Sequence, residues 1–249
     1  MKEVFIGNKI YIFEELTSTM DLSKEMILKD IEEGTTIIAN NQSKGRGSND
    51  RKWVSYGEDA LFSIILKPLS TNLNLLSIIT SYSIMKVLEK IITNDIKIKW
   101  PNDILVDGKK ISGVLIENYI KTNNYSIIGV GININSNHKN NDTFIYPSTS
   151  IKDVLGKEIS KFSIIKLFLN RFQKDYNDLI NNKIKISDIS NNLFRLGELT
   201  SFRSNYKNLK KKSVNEKYKI ISLNLDGSLK VLNKKNDEIN ISSSEIIFD

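Results

Sequence analysis

The sequence predicts an α+β fold: a mixed β-sheet with packed helices, followed by a small C-terminal β-barrel. Three observations predict it. Short apolar runs between residues 4 and 134, of which Ile96 to Lys99 alternates strictly with period two, read as strands. Two long segments, 73–92 and 160–180, instead carry apolar residues at helical spacing. After Gly197 the pattern returns to short alternating runs that suit a separate small unit. The expected division is one domain over residues 1–196 and a second over 197–249.

In chain order, Val4-Phe5-Ile6 and Ile10-Tyr11-Ile12-Phe13 read as one or two short strands around Gly7-Asn8. Leu22, Met26, Ile27 and Ile31 then recur at helical spacing, with Ser18 or Thr19 as N-cap and Gly34 as stop. Thr36 to Asn40 reads as a buried strand, and Leu61 to Leu66 as another that Pro68 ends. The helix from Leu73 to Ile92 lines one face with Leu75, Ile78, Tyr82, Met85 and Leu88. Ile96 to Lys99 is a strand. Ile104-Leu105-Val106 and Lys109 to Ile116 form a hairpin about Asp107-Gly108, a strong turn signal. Ile111 to Asn118 and Tyr125 to Ile134 are apolar strands, and residues 136–150 are a loop. Ser160 to Ile180 is an amphipathic helix, and Ile186 to Leu196 a second helical segment stopped by Gly197. Leu199 to Phe202, Tyr218 to Leu223, Leu229 to Leu232 and Ile239 to Ile241, with an Asp226-Gly227 turn, suit an SH3-like barrel.

Composition narrows the function classes. The chain has 249 residues, 40% hydrophobic and 26% charged, as in an ordinary globular protein. No apolar run approaches the roughly 18–20 residues that cross a bilayer. The N-terminus has no signal-peptide apolar segment. No membrane partner is expected, and a cytoplasmic location is the default. With no cysteine, disulfides, thiolate nucleophiles and zinc–thiolate sites are excluded. The net charge of +7 is spread among asparagines and isoleucines along the whole chain, a compositional bias more than a nucleic-acid surface. A basic RNA- or DNA-binding module is the non-enzymatic alternative, and it rests on lysine content alone. The Lys210-Lys211-Lys212 run has no interleaved aromatics and reads as a solvated loop. His138, the one histidine, sits among Asn, Ser and Lys and reads as loop surface.

Four stretches carry chemistry. Lys99-Trp100-Pro101-Asn102-Asp103 is a corner in which Pro101, without an N–H, belongs at a sheet edge and holds Trp100 extended. With the hairpin after it, this corner brings Asn102, Asp103 and Lys110 together, a set suited to a phosphate and its metal. Gln42-Ser43-Lys44-Gly45-Arg46-Gly47-Ser48 continues to Arg51 and Trp53. Its two glycines let the backbone approach a ligand, and its lack of apolar anchors before Trp53 predicts mobility when empty. It lacks the P-loop spacing. Ser18-Thr19 is sufficiently explained as a helix cap, but a helix N-terminus also presents hydroxyls and N–H groups to a polar ligand. Gly129-Val130-Gly131-Ile132-Asn133 places glycines inside a strand, which marks either close approach of a ligand or second backbone, or a bulge or tight sheet packing.

Lys-Trp-Pro-Asn-Asp, followed seven residues after the Asp by Lys110 in Lys-Ile-Ser-Gly-Val-Leu-Ile-Glu, resembles the biotin protein ligases. So does the loop, where the family form is Gly-Arg-Gly-Arg-x-Gly-Arg-x-Trp. Gly45, Arg46, Gly47, Arg51 and Trp53 match, while Ser48 replaces the second arginine and Asp50 the third glycine. Gly-x-Gly-Ile-Asn at 129–133 is similar as well, and Met20 stands where the family commonly has Asn.

The resemblance implies a class II synthetase-like catalytic domain with an SH3-like C-terminal domain. It implies an ATP-dependent ligase that converts biotin to biotinyl-5′-AMP and passes it to a lysine of a biotin carboxyl carrier protein. Lys110, Arg51 and Asp103 would be catalytic. Ser18, Thr19, Met20, Gln42, Gly45, Arg46, Gly47, Ser48 and Lys110 would bind biotin. Arg46, Arg51, Trp53, Asn102 and Asn133 would bind ATP. Mg²⁺ is the implied cofactor, and Asp103 would either help hold it or orient the incoming amine. Without the second loop arginine, the adenylate is expected to be held less tightly than in relatives with both. No helix-turn-helix precedes the motifs, so DNA is not an expected partner. Monomer and homodimer both stay open. A lipoate or octanoate ligase or transferase of the same fold is the alternative. Those usually carry an Arg-Arg…Gly-Gly-Gly loop with a following His-Asp, and none appears here.

Overall fold

The computed structural model describes residues 3–48, 51–54, 58–68, 73–119, 124–137, 147–203, 216–242 and 245–246. Asn49, Asp50, His138 and Lys210 to Lys212 lie outside them.

The first sheet has seven strands in the order β1-β2-β3-β7-β6-β5-β4. They are β1 (Ile10–Leu16), β2 (Thr36–Gln42), β3 (Ala60–Leu66), β4 (Ile96–Lys99), β5 (Asp103–Val106), β6 (Lys109–Tyr119) and β7 (Tyr125–Ile132). β1 and β2 run parallel and the other pairs antiparallel, so the sheet is mixed as expected.

Strand alternation sends the two faces to different helices. Ile38, Phe62, Ile64, Ile128 and Val130 pack with α2 (Leu73–Leu88) and α4 (Lys161–Ile180) in the main core. A ladder of rings from Phe62 through Phe168 and Phe172 to Tyr176 runs through it, with centroids 5.2, 5.4 and 5.9 Å apart. The opposite residues Ile37, Ile65, Tyr125 and Ile127 pack on Met20 and Ile27 of α1 (Thr19–Ile27). Gly129 and Gly131 continue that second face, where a missing side chain leaves room above the sheet.

The second sheet is antiparallel, in the order β11-β10-β9-β8-β12. Its strands are β8 (Leu199–Arg203), β9 (Lys217–Leu223), β10 (Leu229–Leu232), β11 (Glu238–Ile241) and β12 (Glu245–Ile246). It shares the main core through Phe202, Ile220, Leu223, Leu229 and Val231. Among the described residues, no helix is long and apolar enough to cross a membrane.

Several expectations are corrected. Val4-Phe5-Ile6 is not a strand, because its N–H groups are taken by side chains of α4: Val4 donates to Asn177 Oδ1 and Ile6 to Gln173 Oε1. α1 ends at Ile27 with Leu28 as C-cap, well before Gly34. Gly34 instead adopts φ +90° in a turn whose carbonyl accepts from Gly7 N. α2 stops at Leu88, short of Ile92. α5 (Ile186–Ser190) is far shorter than the segment to Leu196. The backbone beyond it pairs with the edge of β4, with Ile98 N donating to Asn192 O and Phe194 N to Ile98 O. Two elements had no counterpart in the sequence reading, α3 (Ile151–Leu155) and β12.

Candidate active site

The corner between β4 and β5 is fixed from three sides. Trp100 is buried, and its Nε1–H donates to Gly227 O in the β9–β10 turn at 3.0 Å. Ser77 of α2 donates to Pro101 O, and the Trp100–Pro101 peptide is cis. Asn102 Nδ2 donates to Val114 O at 2.7 Å while Val114 N donates back to Asn102 O. These bonds set Asp103 across from Gly113 on β6, and the Asp107-Gly108 turn, with φ positive at both residues, returns the chain to Lys110. Lys110 Nζ then meets Asp103 Oδ1 at 2.7 Å. The expected grouping of Asn102, Asp103 and Lys110 is thus present.

Residues 147–149, read from sequence as loop, clamp this lysine. Lys110 N donates to Pro147 O, and Thr149 N donates to Lys110 O. Asn133, buried, donates its side-chain amide to Thr149 O.

The N-terminus of α1 forms the opposite wall. Ser18 is the N-cap and its Oγ accepts from Met20 N at 3.2 Å. Thr19 N donates to Gln42 Oε1 at 2.6 Å, and Ser63 Oγ donates to Thr19 Oγ1. Ser18, Thr19 and Met20 are all buried. The strand glycines carry this packing. A Cβ on Gly129 would lie 2.5 Å from Met20 Sδ, and one on Gly131 would lie 2.5 Å from Trp53 Cζ2. What approaches these glycines closely is a pair of side chains. The Trp53 ring also lies over Gly113, with Lys110 Nζ 5.5 Å from its centroid. Trp53 Nε1 is buried without a hydrogen-bond partner among the described residues.

Loop residues 45–48 and 51–53 border the cavity. Trp53 N donates to Gly45 O and Gly47 N to Arg51 O. Arg51 turns back on its own loop, its Nε donating to Ser48 O and its Nη2 to Ser48 Oγ, both at 3.0 Å. Arg46 reaches Asp21 of α1 at 2.8 Å and Glu117 of β6 at 3.2 Å.

One pocket therefore gathers Ser18, Thr19, Met20 and Gln42 from one side, and Asn102, Asp103 and Lys110 from the other. Arg46, Gly47, Ser48 and Trp53 of the loop line the same pocket. Gly45 and Arg51 line an adjoining groove with Lys44 and Lys52, and Asn133 stands behind Lys110. Sequence reasoning missed Gly113 and Leu115, although both follow Lys110 in the motif, and it missed Leu61 and Phe62, which read as plain core strand. Glu117 closes the same motif but was given no role from sequence, and Asp21 carried no sequence signal.

Asp103 is the one carboxylate in the pocket lining among the described residues, and no group of three or more His, Cys, Asp or Glu converges there or elsewhere among them. The site thus has no protein-only metal cage. One carboxylate, here paired with Lys110, matches the way magnesium is commonly held by one or two carboxylates together with phosphates.

Residues 12–133 match the model of the biotin/lipoate A/B protein ligase family. The bifunctional ligase/repressor BirA of Bacillus subtilis (strain 168) is 30% identical over 187 residues, covering 72% of this chain and 57% of that protein. The biotin–[acetyl-CoA-carboxylase] ligase of Paracoccus denitrificans is 29% identical over 103 residues, 40% of this chain and 43% of that protein. The chain spans about half the length of the curated relatives it matches. Among solved structures, the biotin protein ligase from Aquifex aeolicus in complex with biotin and ATP superposes with a TM-score of 0.81 at 25% identity. That match covers 96% of this chain and 98% of the other. Motifs, sheet and relatives agree, and through residues 12–133 the chain belongs to the biotin/lipoate A/B protein ligase family.

Proposed function

We propose that this protein is an ATP-dependent biotin protein ligase. The observation that carries the reading is that loop residues Arg46 to Ser48 and Lys110 line one pocket with the capped N-terminus of α1. In the first step the biotin carboxylate attacks the α-phosphorus of ATP. The bond to the β-phosphate oxygen breaks, giving biotinyl-5′-AMP and pyrophosphate. In the second step the ε-amine of a carrier-domain lysine attacks the acyl carbon, AMP leaves, and the amine gives up its proton.

Lys110 is assigned to the reacting carboxylate and α-phosphate, where a fixed cation stabilises developing negative charge. Its support is a backbone clamped by residues 147–149 and a carboxylate partner that orients the ammonium. Ser18, Thr19 and Gln42 are assigned to the polar ring of biotin, and Met20, Gly45, Gly47 and Ser48 to the walls around it. Arg46 lines both the pocket and the groove, and Arg51, in the groove, is assigned to phosphate. Trp53 and Asn102 are assigned to the nucleotide side. Asn133, whose amide is engaged by Thr149, is assigned to holding Lys110 in place. Asp103 would share Mg²⁺ with the triphosphate, and the ion would supply charge neutralisation there.

The partner class is a biotin carboxyl carrier domain, and the location cytoplasmic. The five-stranded sheet is read as the SH3-like unit of residues 197–249. The test is incubation with ATP, Mg²⁺ and either biotin, lipoate or octanoate, followed by mass spectrometry of the bound acyl-adenylate. Adenylate with biotin alone supports the proposal; lipoyl- or octanoyl-adenylate, or none, overturns it.

A further inference from the structure

We infer that Asp21 and Glu117 are positioning residues that clasp Arg46 and hold the loop down over the pocket before any ligand arrives. The inference rests on the ligase reading only for its consequence on the adenylate.

The clasp spans three elements. Arg46 comes from the loop, Asp21 from the first turn of α1, and Glu117 from the far end of β6. One guanidinium nitrogen, Nη2, lies 2.8 Å from Asp21 Oδ1 and 3.2 Å from Glu117 Oε1. Glu117 is itself fixed, because its other oxygen, Oε2, accepts the Tyr119 hydroxyl at 2.6 Å. Burial and the Glu117 carboxylate both push the Tyr119 phenol upward, so it remains a donor throughout the neutral range. Lys24 of α1 lies 5.7 Å from the Tyr119 ring centroid, a second link between helix and strand.

The geometry matters for what Arg46 carries with it. Gly47 and Ser48, the next two residues, line the pocket. They have no apolar anchor of their own, and the indole of Trp53 is the loop's nearest packed side chain. An isolated half-exposed ion pair contributes little. Here two carboxylates on rigid elements share one guanidinium, and every fraction of a kilocalorie acts on a local opening and not on global unfolding. Ser48 stands where a second arginine occurs in the family form, and the clasp on Arg46 adds to the hold that Trp53 supplies on Gly113 and Gly131.

The test is an Asp21→Asn, Glu117→Gln double variant, which keeps side-chain shape and removes both charges. Amide hydrogen exchange is read at Gly47 and Trp53, whose N–H groups bond within the loop. In the ligand-free protein the variant should exchange these amides about three- to tenfold faster. Adding Arg46→Gln should produce no further increase, because the carboxylates act through that guanidinium. Glu25→Gln, exposed on α1, should leave exchange unchanged. Biotinyl-adenylate dissociation should speed up by a similar factor. Unchanged exchange in the double variant, or a further independent increase on adding Arg46→Gln, overturns the clasp. If the wild type makes no adenylate, the ligase reading fails while the exchange measurement still decides the clasp. If exchange quickens but adenylate release does not, the clasp's role in retention is overturned.

Discussion

Gly131→Ala adds one methyl group at the centre of the site, and the structure says what it meets. The new Cβ would lie 2.5 Å from Trp53 Cζ2 and 2.9 Å from Cδ2. Carbon atoms rest at about 3.5–4.0 Å, so the indole has to retreat by about 1 Å. Packing an extra methyl into a filled site costs about 1–3 kcal/mol. Replacing glycine in a strand offsets about 0.5–1 kcal/mol of that. Trp53 sits on a loop and not in the core, so its ring can swing outward and the net loss of stability should stay near or below about 1 kcal/mol. Activity should respond far more, since a displacement of about 1 Å at a reacting site costs up to about a hundredfold. The ring covers Gly113 as well as Gly131 and stands over Lys110, so moving it disturbs three parts of the pocket. Two readouts check the reasoning. The chain has two tryptophans, and Trp100 is 2% exposed, so any red shift in emission reports Trp53. Adenylate formation should fall about ten- to a hundredfold. A variant with unshifted emission and wild-type adenylate formation would refute the packing of Trp53 on this strand.

Other expectations follow from single contacts. Lys110→Gln should lower adenylate formation about 10²–10³-fold with a near-unchanged melting temperature, and single-turnover mass spectrometry measures it. Ser48→Arg should slow adenylate release in a filter-retention assay, while a release rate equal to wild type would remove the significance given to the missing guanidinium. Trp100→Phe strips the Nε1–H from Gly227 O and leaves that buried carbonyl unpaired. The loss of about 1–3 kcal/mol should appear as a lower melting temperature. Asp30 is held below its ordinary value by hydrogen bonds first from Tyr125 and then from Lys67. A depressed carboxylate contributes stability above its unfolded value of 3.8, and that contribution is lost as pH falls through the lower folded one. Tyr125→Phe should therefore narrow the stability gap between pH 7 and acid, as read by urea melts at several pH values. A gap of wild-type size would count against the Asp30 linkage.

Much of the fold was legible because it rests on periodicity. β3 alternates its residues between two helical layers and is apolar on both faces, so it reads as a strand without knowledge of its neighbours. Ser160 caps α4, and its apolar stripe is plain in the residue spacing. The errors occurred where backbone groups found unusual partners. Val4 and Ile6 look like a strand but bond to amide side chains some 170 positions away, a pairing that no local pattern encodes. The segment after α5 gave up helix for an edge contact with Ile98.

For the site, the residues that touch one another through a short hairpin were determined by sequence alone. Asp103 and Lys110 are separated by one turn, so residue type and spacing sufficed to bring them together. The strand glycines were legible as a place of close approach, but not what approaches. That Met20 and Trp53 lie on them depends on how α1 and the loop pack on the same face. Only the tertiary structure turned Arg46 toward Asp21 and Glu117, and Arg51 back onto Ser48. A guanidinium is long and flexible, and its direction is set by which carboxylates and hydroxyls the fold leaves within reach.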